Sequence, residues 1–212
     1  MRTNTRALTL LGVLLAVITI LAFTPLGFIR IGAVSATTVH IPVIIGSVFL
    51  GPIGGAILGL AFGVTSMINS TITPLVTSFI FSPFVTIGEM SGNIWSVVVA
   101  CGPRILIGIV SYYTYAILNK FHKIPDTAKF VATGLAGSMT NTIFVLSGIY
   151  IFFGPEYAAA IGVESTALLA FIMAIVGTNG VPEAIVAAVI TTMACKVLKM
   201  VFKQDFRLKK VM

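Results

Sequence analysis

Long stretches of this chain contain no charged residue, and this feature restricts the folds that the chain can adopt. Between Arg30 and Glu89 there is no aspartate, glutamate, lysine or arginine. Charged residues make up 9% of the whole chain, whereas a soluble domain contains about 25%. The chain is therefore predicted to be an integral membrane protein built from several packed transmembrane helices.

Glycine and proline divide the chain into six predicted spans within a single domain, residues 1–212. Their approximate bounds are 7–23, 38–50, 53–68, 94–118 (broken at 102–103), 130–153 and 179–201. Thr166–Gly177 is also apolar and would be a seventh span if it crossed the membrane alone. The first span is longer than the apolar region of a usual signal peptide, so we expect it to remain as a helix. The predicted fold class is an all-α membrane protein, a compact bundle of six transmembrane helices.

Basic residues indicate how this bundle is oriented. Most of the 13 lysines and arginines fall in three short clusters, within 2–6, 120–129 and 196–210. With six spans, all three clusters and both termini are cytoplasmic, as the positive-inside rule requires, whereas a seventh span would place the last cluster outside. The net charge of +7 comes from clusters of this kind, which suit anionic membrane lipid. A nucleic-acid partner is therefore not expected.

Two predicted helices carry small residues at helical spacing. Gly55, Gly59 and Gly63 are four residues apart, so they share one helix face and are predicted to pack closely inside the bundle. Gly12 and Ala16 form a weaker version in the first span. That face can either pack internally or dock a partner membrane protein, and the sequence alone does not distinguish the two.

Ionisable residues inside apolar spans are costly and are therefore candidates for function. Arg104 and Glu183 each follow a proline in the outer part of a span. They are expected either to form a structural ion pair or to face one outward cavity, because broken helices with polar residues at the breaks build solute sites in membranes. Taken alone, Trp95 would be an interfacial anchor and His40 a satisfied polar group. The candidate substrate-binding residues are His40, Trp95, Arg104, Asn141, Asn179 and Glu183.

Motifs for catalysis and for cofactors are missing from the sequence. There is no serine–histidine pair with a supporting carboxylate and no HExxH motif, and Gly51–Gly55 lacks the ending of a P-loop. Cys101 and Cys195 have no CxxC spacing, and there are only two histidines. Zinc and haem are therefore not expected. The chain is predicted not to be an enzyme and to hold no cofactor or metal of its own.

A series of short motifs carries a family resemblance. In chain order they are 40–46 (HIPVIIG), 50–52 (LGP), the glycine-spaced 54–65, 103–108 (PRILIG), 140–142 (TNT) and 179–186 (NGVPEAIV). Their order and spacing, from about Thr24 to Lys199, are similar to those of the substrate-binding S components of energy-coupling factor (ECF) vitamin transporters.

The resemblance implies a six-helix, multi-pass protein of the bacterial plasma membrane that captures a vitamin with high affinity. It also implies partners, namely an ECF transmembrane coupling subunit and two cytoplasmic ATPases that use ATP. Members of this family dock on the coupling subunit through small residues of the first helix, a role that would fall here to Gly12 and Ala16. The pattern looks most like the pantothenate-type members, and Arg104 suits a substrate carboxylate. Pyridoxine, folate, riboflavin, thiamine precursors and a queuosine precursor remain alternatives.

Two rival classes of function stay open at this stage. A self-sufficient secondary transporter or channel for a small solute would usually show internal repeats and coupling-ion carboxylates at mid-membrane, and neither is clear in this sequence. A membrane enzyme would need a catalytic set that the sequence does not offer. A small molecule carried through purification and identified by mass spectrometry would discriminate among these classes.

Overall fold

The computed structural model describes residues 5–31 and 34–201. The helices are α1 (Thr5–Ala22), α2 (His40–Ile72), α3 (Ile94–Lys120), α4 (Asp126–Ile161), α5 (Leu168–Ile175) and α6 (Val181–Val201). A 3₁₀ turn covers Ser78–Ile80, and a π turn, Val176–Gly180, joins α5 to α6. In the described part of the chain, five helical segments are long and apolar enough to cross a membrane, with α5 and α6 counted as one segment. Arg2 and the basic residues beyond Val201 lie outside the described residues.

Helix α2 reverses direction at Gly51. This residue has a φ of 81°, which glycine adopts without steric cost, and Pro52 suits the first turn of the half that follows. A Cβ on Gly55 would lie 2.8 Å from the Cβ of Ser47, although residues eight positions apart on a straight helix are about 12 Å apart. Residues 40–50 therefore fold back against 52–72, and the turn predicted at Gly51-Pro52 is confirmed.

The second half of α2 packs on α3 backbone to backbone. A Cβ on Gly59 would lie 2.1 Å from the carbonyl oxygen of Arg104, and a Cβ on Gly108 would lie 2.2 Å from the carbonyl carbon of Gly55. Neither position can carry a side chain at this separation of the helices. The predicted close packing of these glycines inside the bundle is confirmed, and the contact fixes where the backbone of Arg104 lies.

The outward faces of the helices remain apolar. Ile20, Ile151 and Met193 are between 63% and 70% exposed, while large side chains such as Phe62 and Phe130 are almost fully buried. Apolar surface on both sides of a helix is what a bundle surrounded by lipid requires.

The break predicted at Gly102-Pro103 is wrong. Helix α3 is continuous and contains Pro103. Proline lacks an N–H, so it leaves the carbonyl four residues earlier, that of Val99, without its helical donor. The neighbouring side chain supplies the replacement, because Nη1 of Arg104 donates to the Val99 carbonyl oxygen at 2.6 Å. The helix therefore continues through the proline.

The predicted end of the fifth span, at Phe153, coincides with a kink inside α4, where φ is −137° and two helical pieces meet; the second piece continues to Ile161. One further boundary differs from the predicted one. The break predicted before Glu183 is instead the π turn, so the last helical segment begins at Leu168 and not at 179. Thr166–Gly177 is consequently not a separate span, because the helix continues from it into α6.

Two short antiparallel hairpins interrupt the all-α pattern. Strand β1 (Phe28–Ile31) pairs with β2 (Val34–Thr37), and β3 (Thr86–Ile87) pairs with β4 (Met90–Ser91). The sequence predicts only mixed or irregular segments at these places, because strands of two to four residues are too short to show alternation.

Candidate functional site

An open cavity of about 1070 Å³, including its mouth, lies where the end of β2, helices α2, α3 and α4, and the junction of α5 with α6 meet. Four of the six predicted site residues line it, namely Arg104, Asn141, Asn179 and Glu183. Apolar side chains form another part of the wall, among them Val145, Leu146 and Ile149. A few polar groups converging on a mainly apolar wall are typical of a small-molecule site.

Arg104 brings a buried positive charge to this cavity. The residue is 5% exposed, and its guanidinium carbon lies 5.4 Å from the ring centre of Phe62 and 5.3 Å from that of Phe81. Nη1 is bonded to the Val99 carbonyl, whereas Nε is buried and has no hydrogen-bond partner among the described residues. Aromatic faces attract a cation without neutralising it, so this group is suited to bind an anion.

Glu183 faces the same cavity from the first turn of α6. Its Oε1 accepts a hydrogen bond from the backbone N–H of Thr37 at 3.1 Å, which joins the end of β2 to α6. Across the ranges 5–31 and 34–201, no ion pair within 4.0 Å joins Glu183 to Arg104. The structural pair that the sequence allowed is therefore not formed, and the two opposite charges lie at separate points of the cavity wall.

Asn141 and Asn179 bring amide groups to the cavity from α4 and from the π turn. Oδ1 of Asn141 is buried and accepts no hydrogen bond from the described residues. Gly180 lets the π turn approach α4, because a Cβ there would lie 2.8 Å from Cγ2 of Thr142. A buried amide oxygen without a partner is costly, and a polar ligand in the cavity would relieve that cost.

His40 and Trp95 are not among the residues that line this cavity. His40 is 1% exposed at the start of α2, and neither of its ring nitrogens has a hydrogen-bond partner within the described chain. Trp95 is 45% exposed and stacks on Phe152 with 4.3 Å between ring centres. The structure therefore does not bring these two residues together with the other four, and their part in substrate binding stays a prediction.

Comparison with known proteins assigns the family. The sequence model described as "ECF transporter, substrate-specific component" matches residues 6–195. The chain belongs to this family. It is a multi-pass protein of the cell membrane and the substrate-specific subunit of an ECF transporter. A similar protein is the pantothenic acid transporter PanT of Lactococcus lactis subsp. cremoris (strain MG1363), which is 40% identical over 163 residues, 75% of each chain.

Helix α1 of this substrate-specific component exposes the small residues that were predicted to dock a partner. Leu10, Leu14 and Ile18 are buried, while Gly12 and Ala16 are exposed on another face. Among the described residues, no atom beyond the glycine's own stretch of helix lies within 4 Å of the position that a Cβ on Gly12 would occupy. The described part of the chain thus leaves Gly12 uncovered, and docking through this face stays a prediction.

Several residues that line the cavity of the substrate-specific component were not predicted from the sequence. Hydroxyl and amide side chains line it from the end of α2 and the segment after it, namely Ser66, Asn69, Ser70, Thr73, Thr77 and Ser78. The run of polar residues directly after an apolar helix was a signal that could have found them. Tyr157 also lines the cavity, but it lies beyond residue 153, where the predicted fifth span ends.

Proposed function

We propose that this protein binds pantothenate with high affinity in the cavity and carries it across the membrane as the vitamin-specific subunit of an ECF importer. The observation that carries this proposal is the 40% identity to the pantothenic acid transporter PanT over 163 residues. Pantothenate has a carboxylate at one end and hydroxyl groups at the other, with an amide and a dimethyl-substituted carbon between them.

The lining of the cavity supports this choice of substrate. Arg104 offers Nε, which has no partner among the described residues, to the carboxylate, since a guanidinium binds a carboxylate in a bidentate geometry. Glu183 accepts a hydrogen bond from a substrate hydroxyl, and Asn141 and Asn179 bond the amide or the second hydroxyl. The apolar wall that includes Leu146 receives the dimethyl group.

The proposed topology has six spans and two cytoplasmic termini. The reversal at Gly51 divides α2 into two antiparallel halves, which adds one crossing to the five helical segments. Residues 40–50 extend over about 16 Å, so in this topology the segment before His40 completes the crossing of a hydrocarbon core about 30 Å thick. An even number of crossings returns the basic C-terminal region to the cytoplasmic side, where lysine and arginine are favoured.

Energy for transport comes from partner subunits in this proposal. The chain has no P-loop, so ATP is hydrolysed by two cytoplasmic ATPases that act through a transmembrane coupling subunit. The chain itself holds no cofactor and catalyses no reaction. The second candidate, a self-sufficient secondary transporter, is favoured by no feature of the cavity.

The decisive experiment measures which small molecule the protein binds. Protein purified in detergent is analysed by mass spectrometry for a retained vitamin and then titrated by calorimetry with pantothenate and with panthenol. Panthenol is a matched control because it has an alcohol in place of the carboxylate. Pantothenate should bind at least about tenfold more tightly, the minimum expected for one charge-assisted contact. Equal binding of both compounds, or a different retained vitamin, would contradict the proposal.

A further inference from the structure

We propose that Pro103 is a positioning residue for substrate binding, because it frees the backbone carbonyl that holds the guanidinium of Arg104 in its receiving orientation. The inference deepens the proposed function and rests on it, since the anion that Arg104 receives is taken to be the carboxylate of pantothenate.

The hydrogen-bond pattern of α3 changes at Pro103. In an α-helix each N–H donates to the carbonyl four residues earlier, so the carbonyl of Val99 would normally receive the N–H of residue 103. Proline has no N–H, and its ring also pushes that carbonyl off the helix axis. The carbonyl is therefore available to a side chain, and Nη1 of Arg104 donates to it at 2.6 Å.

The direction of the Arg104 side chain suits this acceptor. Long side chains in helices point back toward the preceding turn, which is where the Val99 carbonyl lies. A proline immediately before the arginine thus places a free acceptor within reach of the guanidinium. A proline elsewhere in α3 would free the carbonyl of a different residue.

The hydrogen bond to Val99 affects which edge of the guanidinium is left for a ligand. The Val99 carbonyl takes one of the two N–H groups of Nη1, whereas Nε remains buried without a partner in the described part of the chain. Nε and Nη2 form one of the two edges that present parallel N–H donors, and a carboxylate can bind there through both oxygens. Pro103 thereby favours the Nε–Nη2 edge of Arg104 as the edge that receives the substrate.

The aromatic contacts complete the support of this group. The guanidinium lies near the rings of Phe62 and Phe81. Phe81 directly follows the 3₁₀ turn, which is tied to α3 because the hydroxyl of Ser96 donates to the carbonyl of Phe79 at 2.7 Å. These rings restrict the plane of the guanidinium, but they do not fix which of its N–H edges faces the ligand. That orientation depends on the hydrogen bond to the Val99 carbonyl.

The test is Pro103→Ala, which restores an N–H that donates to the Val99 carbonyl and competes with Arg104. A carbonyl oxygen can accept two hydrogen bonds, so the hold on Arg104 should weaken without vanishing. We expect affinity for pantothenate to fall about tenfold and affinity for panthenol to stay within about twofold. The protein should unfold at the same or a higher temperature, because proline is unfavourable inside a helix. Pro155→Ala is the matched control, because it removes the internal proline of α4 and should leave both affinities unchanged.

A second variant separates the effect of the missing N–H from the effect of the proline ring. Lactic acid introduced at position 103 by nonsense suppression gives an ester without an N–H, and it should retain the wild-type ratio of the two affinities. The inference is overturned if Pro103→Ala leaves that ratio unchanged, if both affinities fall together, or if the ester behaves like alanine. If wild-type protein does not bind pantothenate at all, the proposed function fails and this inference fails with it.

Discussion

Replacing Gly59 with alanine is expected to weaken both the fold and substrate binding, because it forces α2 away from α3 beside Arg104. The new Cβ would lie 2.1 Å from the Arg104 carbonyl oxygen, whereas ordinary contact begins at 3.4 Å, so the backbones must separate by about 1.3 Å. Overpacking costs about 1–3 kcal/mol, and the upper end applies because backbone atoms of another helix would have to move. Alanine recovers about 1 kcal/mol in helix propensity, which leaves a net loss of about 2 kcal/mol.

The assay is thermal unfolding in detergent combined with titration by pantothenate. A loss of about 2 kcal/mol in a chain of this length lowers the melting temperature by roughly 4–8 °C, and the displaced Arg104 should bind the carboxylate less tightly. Gly102→Ala is the matched control, since it lies on α3 close to Arg104 but no described atom beyond its own stretch of helix lies within 4 Å of its new Cβ. If Gly59→Ala melts no earlier than Gly102→Ala and binds pantothenate like the wild type, the helix contact does not hold Arg104 in place.

Three other outcomes are expected. Arg104→Gln should lower the affinity for pantothenate about ten- to a hundredfold by calorimetry, since a charge-assisted contact contributes about 1.5–3 kcal/mol; an unchanged affinity would make Arg104 structural. Gly12→Leu combined with Ala16→Leu should reduce co-purification of the coupling subunit while leaving pantothenate binding intact, because bulky side chains hold a partner helix away. Val17→Leu, at an exposed position that is already large, is its control, and normal co-purification of the double variant would place the docking face elsewhere. The chain alone in liposomes should give no concentrative uptake under an ion gradient, and accumulation there would contradict a dependence on ATPases.

Local chemistry decides which parts of the fold can be predicted from sequence. The reversal at Gly51 is predictable, because a glycine followed by a proline between two apolar segments usually marks a turn. The same rule fails at Gly102-Pro103, since the effect of a proline depends on whether another group bonds the carbonyl that it frees. Here that group is the side chain of Arg104, and the sequence does not show in which direction that side chain points.

Some residues of the cavity can likewise be predicted from the sequence, and others cannot. Arg104, Asn141, Asn179 and Glu183 can be found from the sequence because polar groups in apolar spans are costly and must face a cavity or a partner. Tyr157 cannot be found in this way, because its position depends on α4 continuing past Pro155. The two hairpins are too short to leave a periodic pattern.

The π turn at Val176–Gly180 makes the exact number of residues at this place important. Deleting one residue there would restore α-helical geometry and rotate α5 by about 100° relative to α6. Leu168 and Ile172, now buried in the core, would swing toward the lipid, and Asn179 would leave the cavity wall. A length change in the loop after α3 would instead be absorbed at the surface. Among related chains of different length, insertions and deletions should therefore accumulate in the loops, while the residue count of this turn stays constant.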